Sequence, residues 1–244
     1  MRRLSLFEQR LDPLTTKRIT RLGIPRDANC LEIGGGHGSI TRWLAHDVAP
    51  HGKVTATDLQ LDFLRSVDAA NVEVIRHDVR SETFPERSFD LIHTRAVLMH
   101  VPVDTALLGR IASWLAPGGW LLLEEPDFGM WGVDDDEVWA THPEAWHRTF
   151  PGGSVGRGRW LLRHIHEVGL TEIGADAEID VIVPGTPLAE FHRLSMAAIA
   201  PAAVEAGALT AEHAAALLDR TTQPDFLACG FVHIGVWGRR SLGD

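Results

Sequence analysis

The sequence predicts an α/β fold in which a parallel sheet is covered by helices on both faces. Three observations carry this. Between Cys30 and Glu125, short apolar runs alternate with helical stripes through short connections. The first apolar run feeds directly into a glycine-rich turn, Gly34-Gly35-Gly36-His37-Gly38. The 244 residues, 45% hydrophobic and 23% charged, describe an ordinary soluble globule with ample material for one large core.

Strands are expected over 30–33, 53–57, 72–75, 89–93 and 120–124. Between the first two, Ile40, Trp43, Leu44 and Val48 recur at helical spacing, and Leu61, Leu64 and Val67 repeat that pattern more briefly. Leu107, Leu108, Ile111, Trp114 and Leu115 form the clearest stripe, with Asp104 as its N-cap and Pro117-Gly118-Gly119 as its stop. A helix over 159–168, closed by Gly169, leads to a strand over about 172–183. Residues 184–222 read as two or three helices and 226–238 as the last strand. The expected organisation is one domain over 1–244, with an N-terminal helical segment over 1–29 and insertions over 126–157 and 184–222.

A net charge of −10 argues against a general nucleic-acid binder, since phosphate neutralisation needs a basic face. Arg2, Arg3, Arg10, Lys17, Arg18 and Arg21 give the N-terminus a basic bias that reads as a solvated helix face. Cys30 and Cys229 lie in apolar strand-like segments and read as reduced core thiols. No apolar run reaches the ~18 residues of a membrane helix, and the start lacks a signal-peptide pattern. A cytoplasmic protein without membrane partners is expected, with a homodimer left open.

The glycine turn reads Glu32-x-Gly34-x-Gly36-x-Gly38, and position 39 is serine where a dinucleotide fingerprint needs its third glycine. An acid at the loop entrance opposes a pyrophosphate. It suits a nucleoside carrying an ammonium and a positive sulfur, and S-adenosylmethionine is such a ligand; the other reading is that Glu32 merely ends a strand and the glycines make an ordinary turn. Asp58 ends the second strand, where a carboxylate can take both ribose hydroxyls, and Leu59 follows it. Asp78 ends the next strand-loop, where it can accept from an adenine amino group while the Val79 N–H reaches a ring nitrogen; alternatively it is a turn cap.

Glu32 to Gly38 including Gly35, Asp58, Asp78-Val79, Ser88-Phe89-Asp90-Leu91-Ile92 and Leu115-Ala116-Pro117-Gly118-Gly119-Trp120, in this order and spacing, resemble the class I S-adenosylmethionine-dependent methyltransferases. The resemblance covers about 30–125. It implies a Rossmann-like, seven-stranded, mostly parallel sheet with the last strand antiparallel. It also implies that Glu32 faces the methionine amino group, Asp58 the ribose, and Asp78 with Val79 the adenine.

The site belongs at the carboxyl ends of the strands, where Thr94 and Arg95 join the cofactor set and His93 is a candidate catalytic residue. His100 resembles the general-base histidine of small-molecule O-methyltransferases, although Val101-Pro102 follow it where those enzymes carry acidic and aromatic residues. A packing support beneath the cofactor is its other reading. His147, with His142 and His192, offers a base from the insertions or serves as a surface or capping residue, and Trp131, Trp139, Trp146 and Phe150 suit an aromatic lid over a flat substrate or the hydrophobic anchor of that lid. His164 and His166 face apart at i, i+2 on a helix, so catalysis without a metal is expected. The expected reaction is O-methylation of an aromatic or polyketide-like small molecule. N- or C-methylation, a protein acceptor, or a cofactor-binding protein or enzyme that transfers no methyl group are the alternatives.

Overall fold

The computed structural model describes residues 2–128, 149 and 157–243. Over its described residues the chain divides into two compact units. One is built from Asp12–Glu125, Gly158–Asp176 and Ile234–Asp244, the other from Met1–Leu11, Pro126–Arg157 and Ala177–His233.

The strands are β1 (Asn29–Ile33), β2 (Lys53–Asp58), β3 (Val72–Arg76), β4 (Phe89–Arg95), β5 (Leu115–Asp127), β6 (Thr171–Ile182) and β7 (Ala228–Arg239). They form one seven-stranded sheet in the order β3-β2-β1-β4-β5-β7-β6. The first five strands pair in parallel. The last runs the other way: Arg240 N–H donates to Gly119 O, near the start of β5, while Phe231 lies against Phe128, just past its end. The start of β6 meets the end of β7 through Thr171 Oγ1 and Arg239 O, and Asp180, late in β6, lies beside Gly230, early in β7. β6 therefore points the same way as the first five strands. Strand order reverses between β1 and β4, which makes their carboxyl ends the natural ligand position.

The helices are α1 (Arg2–Leu22), α2 (Ser39–Trp43), α3 (Thr105–Ser113), α4 (Arg157–Glu167), α5 (Pro187–Glu205) and α6 (Ala211–Arg220). Alternate residues of a strand point to opposite faces. Accordingly Leu31, Ile33, Ile92, Leu121 and Leu123 pack with Leu108 and Ile111 of α3 and Leu161 and Ile165 of α4. On the other face Cys30, Val54, Leu91 and Leu122 pack with Ile19 of α1 and Ile40 and Leu44 after β1. Each such aliphatic side chain contributes about 1.5–3 kcal/mol by leaving water. Asp104 caps α3, its Oδ1 accepting from Leu107 N–H at 2.8 Å.

Four details differ from the sequence reading. Leu61, Leu64 and Val67 form only a 3₁₀ turn over Leu64–Ser66, because Leu64 alone is fully buried while Leu59 and Phe63 face solvent. Pro117-Gly118-Gly119 does not stop α3, which ends at Ser113 with Trp114 as its C-cap: the triplet lies inside β5, which already begins at Leu115, and the pairing of β5 with β4 shifts register between Phe89 and Leu91. Cys229 is half-buried rather than a core thiol. Arg18 is not solvated; it is buried in an ion pair with Glu124.

Candidate functional site

The site is built from the loop after β1. Gly34, Gly36 and Gly38 all take positive φ, +76°, +55° and +77°, a region that costs an L side chain steric strain. The Gly34 and Gly35 N–H groups both donate to Thr57 O, at 2.8 and 2.9 Å, which stitches the loop to the end of β2. A Cβ at Gly34 would collide with Val97, whereas one at Gly36 would meet nothing within 4 Å. The loop is thus packed on one side and open on the other at Gly36, where a ligand can approach the backbone.

Asp58 is oriented by that same loop. Its Oδ2 accepts from Gly36 N–H at 3.1 Å and its Oδ1 from Gln60 N–H at 3.0 Å. Leu59 stands exposed beside it, and the His37 ring packs edge-on against Phe63 at 4.4 Å. Asp78 is half-exposed and gripped by Arg80, whose Nε and Nη2 donate to it at 2.8 and 2.6 Å. The Arg80 hydrogen bonds hold the Asp78 carboxyl down to about 2. Val79 is buried, its carbonyl accepting from Arg110.

Behind the loop lies a buried ionic cluster. Glu32, in β1, is 4% exposed and its Oε2 accepts from Thr41 Oγ1. His93, its register partner in β4, is 1% exposed. The His93 Nε2 lies 2.9 Å from Glu124 Oε2 and its Nδ1 3.8 Å from Glu32 Oε1. Glu124 also accepts from Arg18 Nη1 at 2.5 Å and from Thr15 Oγ1 at 2.6 Å. Burial pushes the Glu32 carboxyl up, against the His93 charge and the Thr41 hydrogen bond. At Glu124 burial acts the same way, but the hydrogen bond and charge of His93 and the charge of Arg18 outweigh it and hold the carboxyl down to about 2. Arg95 turns to α1, donating to Asp12 Oδ1 at 2.8 Å and Thr15 Oγ1 at 2.9 Å, and Ser39 Oγ donates to Asp12 as well. Thr94 is buried, and its hydroxyl has no hydrogen-bond partner among the described residues.

After β4 the chain turns through Ala96, at φ +54°, into the short 3₁₀ turn Leu98–His100. A positive φ on a residue with a Cβ is strain of order 1 kcal/mol that the surroundings must enforce. Glu125 enforces it: Oε1 accepts from Val97 N–H at 3.0 Å and Leu98 N–H at 2.8 Å, and Oε2 from Met99 N–H at 3.0 Å. His100 ends this turn and is exposed.

Glu32, Gly34, Gly35, Gly36, Gly38, Asp58, Thr94 and Arg95 are thus placed together at the carboxyl ends of β1, β2 and β4, with Asp78 and Val79 following β3. His93 lies beneath that surface. His147, His142, Trp131, Trp139, Trp146 and Phe150 fall outside the described residues. His192 belongs to the other unit, buried, with its Nε2 3.2 Å from Asp180 Oδ2; His233 Nε2 lies 3.0 Å from the same oxygen, and Arg10 Nε donates to Oδ1 at 2.8 Å. Glu124, Glu125, Arg18, Thr15 and Thr41 were not singled out for the site by sequence reasoning. One signal was available: two acids directly after the apolar run Trp120–Leu123 are costly to bury unless partnered.

The family model described as a methyltransferase domain matches residues 7–177. The chain belongs to that family. Its fold is that of the class I, S-adenosylmethionine-dependent methyltransferases. A methyltransferase of Strobilurus tenacellus, str2, is 32% identical over 134 residues, 52% of this chain and 46% of that protein. The chain thus spans about half the length of the curated relatives it matches. Among solved structures, phosphoethanolamine N-methyltransferase 2 of Haemonchus contortus, in complex with S-adenosyl-L-methionine, superposes with a TM-score of 0.58 at 17% identity over 91% of this chain and 51% of that one. The 4+2 cyclase SpnF does so with 0.59 at 18% identity over 96% and 82%. These two likenesses are of fold alone.

Proposed function

We propose that this methyltransferase domain passes a methyl group from S-adenosylmethionine to a small-molecule acceptor, with O-methylation of an aromatic or polyketide-like hydroxyl as the favoured chemistry. The observation that carries the cofactor reading is the conjunction at the switch in strand order: an open backbone at Gly36, an oriented carboxylate at Asp58 and a buried acid at Glu32. In this reading Asp58 takes the ribose hydroxyls, Asp78 and Val79 the adenine edge and Glu32 the ammonium, while Leu59 and Thr94 border them. Asp78 can serve two partners, since a carboxylate offers about four lone-pair sites and Arg80 occupies only some of them.

When bound, the cofactor supplies a methyl carbon already activated by a positive sulfur. The protein's part is to align the acceptor and exclude water. His100 is assigned the acceptor's hydroxyl proton: its ring is exposed, it sits on a turn fixed by Glu125, and histidine titrates near neutral pH. Residues 126–157 and 184–222 are assigned the acceptor itself.

Phenolic acceptors incubated with methyl-labelled S-adenosylmethionine should yield S-adenosylhomocysteine and labelled product. His100→Ala should lower turnover by on the order of 10²- to 10⁴-fold with cofactor affinity kept. Equal losses in turnover and affinity would return His100 to a packing role. In a second reading the cofactor is bound but never consumed. Tight binding without S-adenosylhomocysteine formation across the acceptor panel would establish it.

A further inference from the structure

The groups assigned to the cofactor so far, Glu32, Asp58 and Asp78, are all acids, yet an amino-acid-bearing nucleoside also brings a carboxylate. Set among acids without a cation, that carboxylate would be repelled as well as desolvated. Arg80 stands at the adenine end, paired with Asp78; Arg42 is exposed and donates to His37 O; Arg18 is buried with Glu124. Arg95 is placed differently. It is the last residue of β4, two positions beyond His93, which is the register partner of Glu32. It therefore shares their face of the sheet, about 7 Å further along the strand. The last β1–β4 pair is Ile33 with Thr94, so beside Arg95 the chain after β1 has already turned into the glycine loop.

The Arg95 side chain is held in place there. It is 10% exposed, its Nη1 donates to Thr15 Oγ1 at 2.9 Å and its Nη2 to Asp12 Oδ1 at 2.8 Å. The same Asp12 oxygen accepts from Ser39 Oγ at 3.1 Å, and Ser39 follows Gly38 directly. The guanidinium thus stands two hydrogen bonds from the end of the glycine loop. Its five donors form a planar fork that matches a carboxylate and can serve more than one anion at once. We propose that Arg95 binds the carboxylate of the cofactor's amino-acid arm, with Asp12 and Thr15 of α1 as the residues that position it. This rests on the cofactor reading above. Ammonium and carboxylate are borne on one carbon, so a ligand whose ammonium meets Glu32 carries its carboxylate toward the end of β4. The nearby Asp12 charge is shared between Arg95 and Ser39, and its side chain is the more exposed of the pair, 29% against 10%. Arg95 is then a selectivity residue: it favours nucleosides that carry the whole amino acid over those that carry only its amine.

The test compares two ligands on the full chain by calorimetry: S-adenosylhomocysteine, and its decarboxylated form, which keeps the adenine, the ribose and the ammonium. The parent protein should bind the first about 10- to 100-fold more tightly, as a charge-assisted pair implies. Arg95→Gln should weaken S-adenosylhomocysteine by about that factor and leave the decarboxylated ligand unchanged, which erases the preference. Should that variant not fold, Arg95→Lys stands in: it keeps the charge and loses the planar fork, so its preference should fall severalfold. A tether that merely secures α1 and the loop behaves otherwise, since its loss weakens both ligands alike. Equal losses for the two ligands, a variant that keeps the parental preference, or a parent protein that has none overturns the carboxylate role and leaves the cofactor site standing. Binding of neither ligand to the parent protein overturns both.

Discussion

Glu125 offers the clearest separation of structure from chemistry. Its carboxylate accepts from the backbone N–H groups of Val97, Leu98 and Met99, and holds the turn that ends at His100. In Glu125→Gln the amide oxygen can still serve Val97 and Leu98, but the amide nitrogen faces the Met99 N–H, donor against donor. One hydrogen bond to a charged group is lost, roughly 1.5–3 kcal/mol. Unfolding of a chain this size shifts by roughly 2–4 °C per kcal/mol, so melting should fall by about 3–12 °C. Glu125→Ala strands all three amides; the buried Leu98 N–H alone costs roughly 1–3 kcal/mol, and the total should exceed the glutamine loss about twofold. Thermal melts and urea titrations read the stability. Turnover should fall more than cofactor affinity, because the turn carries His100 while of the three residues it is Val97 that packs against the glycine loop, at Gly34. A Glu125→Gln protein that melts with the parent, or that loses affinity and turnover together, would refute the reasoning.

Two further perturbations test the rest of the structure. Asp58→Ala should weaken S-adenosylhomocysteine binding by on the order of 1–3 kcal/mol in calorimetry, since a charge-assisted acceptor is removed; unchanged affinity would remove Asp58 from the ribose role. Asp180→Ala leaves Arg10, His192 and His233 around a missing carboxylate and should cost roughly 3–5 kcal/mol in denaturant unfolding. The same cluster fixes the acid response. Burial holds the His192 imidazole below its usual range despite the Asp180 hydrogen bond. Despite burial, the His192 and His233 hydrogen bonds hold the Asp180 carboxyl well below its own range. Both lowered groups lend stability above their unfolded pKa values and lose it as pH falls, so the urea midpoint should decline first below about 6.5 and again below about 3.9. A midpoint flat from pH 8 to pH 5 would contradict the histidine part.

The parallel half of the sheet was legible because its information is local. A buried parallel strand is a continuous apolar run, and β1 to β4 were each placed within two residues at either end. The glycine loop was legible for the same reason: positive φ at Gly34, Gly36 and Gly38 is a steric demand that sequence expresses at those positions. The brief stripe at Leu61, Leu64 and Val67 misled because periodicity records apolar residues, not whether a core exists to receive them. Arg18 misled more deeply. Its partners are Glu124 and Asp176, more than 100 residues away, and no feature of α1 alone distinguishes a solvated arginine from one paired across the sheet.

That long-range pairing is also where the site acquires its particular character. Buried ionic clusters are poor sources of stability: apolar replacements of similar volume are often neutral or better by about 1–4 kcal/mol. Arg18, Glu124, His93 and Glu32 nonetheless occupy the interior directly behind the glycine loop, and Arg95, Asp12 and Ser39 tie α1 to the same loop. Stability does not account for that arrangement. The cluster instead assigns α1 a second role besides covering the sheet: Thr15 and Arg18 both donate to Glu124, whose Oε2 lies 2.9 Å from His93 Nε2 and holds that ring behind the loop.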